Sequence, residues 1–164
     1  MEFESEVGRL FLQESRSLLS EDFLPKIRRC LEMLDDSDLW WRAHQNNNSV
    51  GNLILHLCGN VRQWIIASLG GEPDQRQRSK EFSERAFISK VDLLTNLEKT
   101  LVEADGVLAS FELHNLLVGR TIQGFRTTAL QAVFHVVEHF SFHTGQIIYV
   151  TKLRKGMDLK FYDL

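Results

Sequence analysis

Three histidines in the stretch HVVEHFSFHTGQI, His135, His139 and His143, follow one another at four-residue steps. Each residue of an α-helix turns about 100 degrees, so a four-residue step drifts by only about 40 degrees and the three imidazoles form one stripe. A pair four apart can chelate one divalent ion. The apolar residues Ala132, Val136, Ile147 and Val150 set the inward direction of this helix, and their mean lies midway between His139 and His143. These two therefore point at the core, while His135 falls at the edge of the buried face, as a neighbour that packs or hydrogen-bonds. A lone inward histidine is ordinarily a core residue satisfied by a hydrogen bond. Two of them among Phe134, Phe140 and Phe142 leave several ring nitrogens to satisfy, and one metal ion does so at once.

One helix supplies two ligands, so a third must come from another. The candidate is His56, in SVGNLILHLCGNVRQWIIASLGG, where Asn52, His56, Asn60 and Gln63 gather into one stripe on an otherwise apolar helix. Such a stripe is either a solvent face or the lining of a polar cavity, and the Leu, Ile and Trp content of the remaining faces argues for burial. Three neutral imidazoles would leave coordination positions open for water or a substrate thiol, the arrangement of a catalytic rather than a closed structural site. Three histidines suit zinc, nickel, iron or copper. Asn52, Asn60, Gln63, Gln146 and His135 are then the residues expected to face the substrate or support the ligands. Glu138 lies about 100 degrees from His139 and is not expected to act as a base. His44 and His114 fall in connectors and read as surface residues.

The elements that must position these side chains are helical. From Phe3 to about Leu34, Phe3, Val7, Leu10, Phe11, Leu18, Leu19, Phe23, Leu24, Ile27, Leu31 and Leu34 recur at three and four, predicting a long first helix with a bend near Pro25. Asp35 to Asp38 break the pattern, and Trp40 and Trp41 belong to a packed connector. Ser49 is the expected N-cap of helix two, which Gly70, Gly71 and Pro73 stop near Leu69. Residues 72–85 are charged and aperiodic, and read as a crossover or mobile loop. Helix three is expected over Ser89 to Ser110, capped by Ser89 with Asp92, with Leu93, Leu94, Leu97 and Leu101 inward. Between Phe111 and Phe125, Gly119 and Gly124 point to a loop or a short extended hairpin. Thr127 or Thr128 caps a fourth helix reaching Leu153 and ended by Lys155 and Gly156. The tail from residue 157 to 164 carries Phe161 and Tyr162, which could pack back on the body.

Composition agrees with a single globular helical domain over residues 1–164: 43% of residues are hydrophobic, 25% are charged and only two are proline. A net charge of -3 lacks the basic clustering that nucleic acid demands. The N-terminal stretch mixes Glu and Arg with apolar residues, unlike a signal peptide or membrane span, so a cytoplasmic location without membrane association is the expectation. Cys30 and Cys58 make no zinc-finger spacing and no disulfide framework, and are expected as free buried thiols.

The single histidine in SVGNLILHLCGN and the HxxxHxGQ core of VVEHFSFHTGQI resemble the second and fourth helices of the DinB/YfiT-like superfamily, and the resemblance spans nearly the whole chain. It implies an all-α four-helix bundle with a crossover between helices two and three, and a homodimer. His56, His139 and His143 occupy the family's ligand positions, which implies one bound zinc or nickel. Family members with assigned activities include transferases and isomerases that use a low-molecular-weight thiol. The expected function is therefore a metal-dependent thiol S-transferase or hydrolase acting on a small molecule. The alternative is a non-catalytic metal-binding or dimeric interaction bundle.

Overall fold

Pro25 has no N–H to give and its ring crowds the carbonyl one turn back, so a continuous α-helix through it is disfavoured. In the computed structural model, which describes residues 2–85 and 88–161, the first helical stretch runs as α1 (Glu2–Ser17), a π-helical turn (Leu18–Phe23) and α2 (Leu24–Met33), with Pro25 in the first turn of α2. Where a bend was expected, the helix widens into this turn just before Pro25. The inward residues at the start differ from the expected set: Val7 and Leu10 are exposed, while Gly8, Leu12 and Ser15 are buried. Gly8 lets the helix approach Leu116 so closely that an added Cβ would meet the Leu116 side chain at 2.8 Å.

A short α3 (Asp36–Leu39) is capped by Asp35, whose side chain accepts from the Asp38 amide. Helix α4 (Val50–Val61) begins with a capping box between Ser49 and Asn52 and continues as a second π-helical stretch, Arg62–Ala67. Gly71, at φ 83, ends it in the left-handed region. The segment expected as a crossover or mobile loop carries α5 (Arg78–Ser83), which packs on α4. Helix α6 (Lys90–Ala109) starts at Ser89, whose side chain accepts from the Asp92 amide, as expected.

A 3-10 turn (Leu113–Asn115) leads into the hairpin of β1 (Gly119–Ile122) and β2 (Phe125–Thr128), antiparallel with Gly119 opposite Thr128. Gln123 and Gly124 both have positive φ, 53 and 82, the two-residue turn whose twist matches paired strands. The mostly helical chain thus includes a small sheet. Thr128 caps α7 (Ala129–Lys155) through a capping box with Gln131, and Gly156 ends it at φ 63.

The four long helical stretches bury their apolar stripes on one another: α4 packs on α6 and α7, α2 on α7 and α6, and α1 on α6 and α7. Ile27, Leu31, Ile54, Leu57, Ile65, Leu97, Leu101, Phe140 and Ile147 form the centre of one apolar cluster. Trp40 sits against Gly51 and donates its indole N–H to the Ile88 carbonyl at 3.1 Å. Leu159 and Phe161 fold back on this cluster, whereas Tyr162 and the side chain of Phe3 lie outside the described residues. Cys30 and Cys58 are free and buried. Among the described residues no helix is long and apolar enough to cross a membrane.

Candidate metal centre

The packing of α4 on α7 brings His56 against the histidine stripe of the last helix. His56, His139 and His143 each offer a ring nitrogen, and these atoms lie within 4.8 Å of one another. His56 and His143 are buried and His139 is half-buried. Their rings meet edge to face, with centroids 4.9 Å apart for His56 and His139, 5.0 Å for His56 and His143, and 4.4 Å for His139 and His143. Of the phenylalanines expected around them, Phe140 is buried in the core, but Phe134 and Phe142 are exposed. Phe134 lies on the opposite side of α7 from the inward stripe, and Phe142 flanks it, its ring 5.3 Å from that of His143.

Hydrogen bonds fix which nitrogen faces inward. The Glu81 carboxylate lies 2.8 Å from His56 Nδ1. Burial pushes the Glu81 carboxyl up, but hydrogen bonds from His56 and Arg76 outweigh it and hold it below the usual range. An ionised carboxylate only accepts, so His56 Nδ1 carries the hydrogen and Nε2 is left as an acceptor. His139 Nε2, 2.8 Å from His56 Nε2, is then the donor between the two rings. The Gln146 amide oxygen accepts from His143 Nδ1 at 2.7 Å, which leaves His143 Nε2 with a free lone pair.

Burial depresses the basicity of the cluster. The His139 imidazole is lowered to about 3 by burial and then by its neighbours His143, His56 and His135. Burial also lowers His143, against the opposing bond to Gln146, and lowers His135. At neutral pH these three rings are uncharged, the form in which imidazole ligates a metal. The donor set and its spacing therefore fit one divalent transition ion, which would take the place of the hydrogen that His139 Nε2 shares with His56, that hydrogen then lying on His139 Nδ1.

The remaining candidates divide by location. His135 packs at the edge, its ring 4.3 Å from that of Trp64 and 5.3 Å from that of His139, and its Nε2 lies 3.4 Å from Asn60 Nδ2. Asn60 is buried, so the α4 stripe is not a solvent face. Asn52 is wholly buried and engaged elsewhere: its amide nitrogen donates to the Glu81 carbonyl at 2.8 Å and to that of Glu84 at 3.3 Å, while its oxygen accepts from Ser49 Oγ at 2.8 Å. Gln63 donates to Asp74 at 2.7 Å, and its oxygen accepts from Arg76 at 3.0 Å and from Gln123. Those two amides organise residues 72–85 rather than opening onto the histidines. Gln146 is exposed. Glu138, His44 and His114 are exposed, as expected.

Sequence reasoning missed Arg76 and Glu81. Arg76 Nε donates to Glu81 Oε1 at 2.7 Å and Nη2 to Oε2 at 2.9 Å, a two-pronged pair in which the side chains are 4% and 10% exposed. Two charged residues in an aperiodic stretch carry no periodic signal of burial. The one available sign was Gly59, an isolated glycine inside an apolar helix. A Cβ there would fall 1.9 Å from Glu81 Oε1, so the glycine is what admits the carboxylate.

The family model described as "Protein of unknown function (DUF1572)" matches residues 6–163. The crystal structure of a conserved protein from Enterococcus faecalis is similar in fold, with a TM-score of 0.73 and 15% identity, covering 88% of this chain and 97% of the other. No curated protein matches the chain.

Proposed function

The chain belongs to the DUF1572 family, and on that premise we propose that it is a metal-dependent enzyme of the DinB/YfiT type, a single four-helix-bundle domain with a crossover between the second and third long helices. It acts on a small molecule as a thiol S-transferase or hydrolase. The observation that carries this reading is the convergence of His56, His139 and His143, from two helices, on one point with ring nitrogens within 4.8 Å. Zinc or nickel is the proposed ion, and a low-molecular-weight thiol the proposed co-substrate of the transferase.

His56, His139 and His143 would hold the ion, which when bound supplies Lewis acidity that makes water or a thiol nucleophilic at neutral pH. The chain's own contribution is to keep the His139 and His143 imidazoles neutral by burial and to fix the orientation of all three rings. Glu81 orients His56, and Gln146 orients His143. His135, half-buried at the edge of the cluster, is the residue proposed to meet a substrate, with the buried Asn60 amide 3.4 Å from its Nε2 as a support. Glu138 is directed to solvent and takes no part.

A second reading, a non-catalytic metal-binding or dimeric interaction bundle, is favoured by exposed apolar residues on α7, among them Phe142, Tyr149 and Leu153. Both readings need the ion, and only the first needs turnover.

Elemental analysis of tag-free protein tests the shared premise. About one zinc or nickel per chain is expected, lost in His56→Ala and in His143→Ala. Wild-type protein that stays metal-free after loading with either ion would overturn it. Assays of the loaded protein with thiols plus electrophiles, and with ester or amide substrates, then separate enzyme from binding bundle.

A further inference from the structure

Helix α5 contributes a buried carboxylate that no apolar packing requires, and it lies on the outward nitrogen of one of the three histidines. Four features of its surroundings place it there. Arg76 grips both carboxylate oxygens, at 2.7 and 2.9 Å. Asn52 receives the α5 backbone by donating to the Glu81 and Glu84 carbonyls. Gly59 leaves the space above α4 that the carboxylate fills. The Phe82 ring, 4.6 Å from that of His56, closes the adjacent side. Burying a charged pair costs free energy unless every charge is matched, so this arrangement is expensive to maintain as mere packing.

We infer that Glu81 is the positioning residue of the histidine cluster: by accepting from His56 Nδ1 it holds the His56 lone pair on Nε2, facing His139 and His143. Arg76 makes that role decisive. Its Nη2 lies 3.1 Å from His56 Nδ1, and the two nitrogens coexist only because both donate to the same Glu81 oxygen. Without the carboxylate, Arg76 becomes the donor to Nδ1, and the His56 hydrogen moves to Nε2, where it points at the other two rings. A ring presenting N–H inward ligates only if that hydrogen can move to its outward nitrogen, and with Arg76 donating to His56 Nδ1 that nitrogen is closed to it. The inference rests on the proposed metal site for its purpose, but the choice of tautomer can be observed without any metal.

The test compares wild type, Glu81→Ala and Gly59→Ala, all metal-free, by long-range nitrogen–proton NMR correlation of the histidine rings. Circular dichroism and thermal melting establish that each is folded. Wild type is expected to carry the His56 hydrogen on Nδ1, and both variants to shift it to Nε2. Gly59→Ala matters because it displaces the carboxylate without deleting it, and it decides the question if Glu81→Ala does not fold. In parallel, competition against a zinc chelator is expected to show a loss of affinity of about 10- to 100-fold in the variants. Folded variants whose His56 keeps the wild-type tautomer would overturn the inference. A tautomer change in protein whose wild type takes up no zinc or nickel would leave Glu81 as the positioning residue and sink the metal reading instead.

Discussion

At the residue scale, the centre is governed by which nitrogen each imidazole presents, and the supports of the rings differ in strength. Glu81 is buried and charged, whereas Gln146 is neutral and exposed, so water can take over its place as acceptor from His143 Nδ1. Gln146→Leu is therefore expected to weaken zinc binding by only about tenfold, at the low end for such supporting groups, while His143→Ala abolishes it. Chelator competition on the two proteins checks the ranking. The cysteines make a contrasting case. Burial pushes the Cys58 thiol up to about 12, and burial raises Cys30 as well. At pH 8 neither should react with a thiol-directed reagent in the folded protein, and both should react once it is unfolded. Because the unfolded thiol ionises near about 8.5, Cys58 contributes stability below that pH, and the contribution declines as pH rises toward the folded value. A melting temperature that falls more steeply above pH 9 in wild type than in Cys58→Ala checks the sign. The histidine stripe and the burial of both cysteines were legible in the sequence because residue type and helical spacing alone carry them. The tautomers were not, since they depend on partners from other elements.

At the element scale, the long helices announce themselves through periodicity and caps: Ser49, Ser89, Thr128 and Gly156 sit where local chemistry puts them. Residues 72–85 do not, because their order comes from contacts made across the fold. Asn52 is the hinge of that order. Its side chain both caps α4, its oxygen accepting from the Ser49 amide, and donates to the carbonyls of Glu81 and Glu84. Asn52→Ala removes an N-terminal cap bond and leaves two carbonyls without their donor, with an expected destabilisation of about 1–3 kcal/mol. The loss should be uneven. Hydrogen exchange at the backbone amides of α5 is expected to accelerate well beyond the global change, while α6 and α7 follow only the global change. Uniform acceleration would mean that α5 is not held through Asn52. The short hairpin of β1 and β2 was half legible: its glycines mark a turn, but the four-residue strands are too brief to show alternation.

At the scale of the whole molecule, the N-terminal half of the fold is tied to the end of α7 by a buried carboxylate, and this determines how acid acts on the protein. Asp38 on α3 accepts from Arg154 Nε at 2.6 Å and pairs with Lys155 Nζ at 2.5 Å. The bond from Lys155, joined by that from Arg154 and opposed by burial, holds the Asp38 carboxyl below its ordinary value. A depressed carboxyl stabilises the fold above its unfolded pKa of about 3.9, and that contribution is lost as pH falls through the lower folded value. Asp38→Asn keeps the shape but removes the charge, so it should lower stability at pH 7 by about 1–3 kcal/mol, a few degrees in Tm for a chain of this size. As pH drops from 5 toward 2, wild type loses the same interaction and the two melting temperatures should converge. A gap that stays constant with pH would assign the effect to packing of the buried Asp38 side chain rather than to its charge. The histidine centre lies far along α7 from this tie, so metal uptake by Asp38→Asn at pH 7 is expected to equal that of wild type. Zinc titration of the folded variant checks that the Asp38 tie and the proposed histidine site are separable.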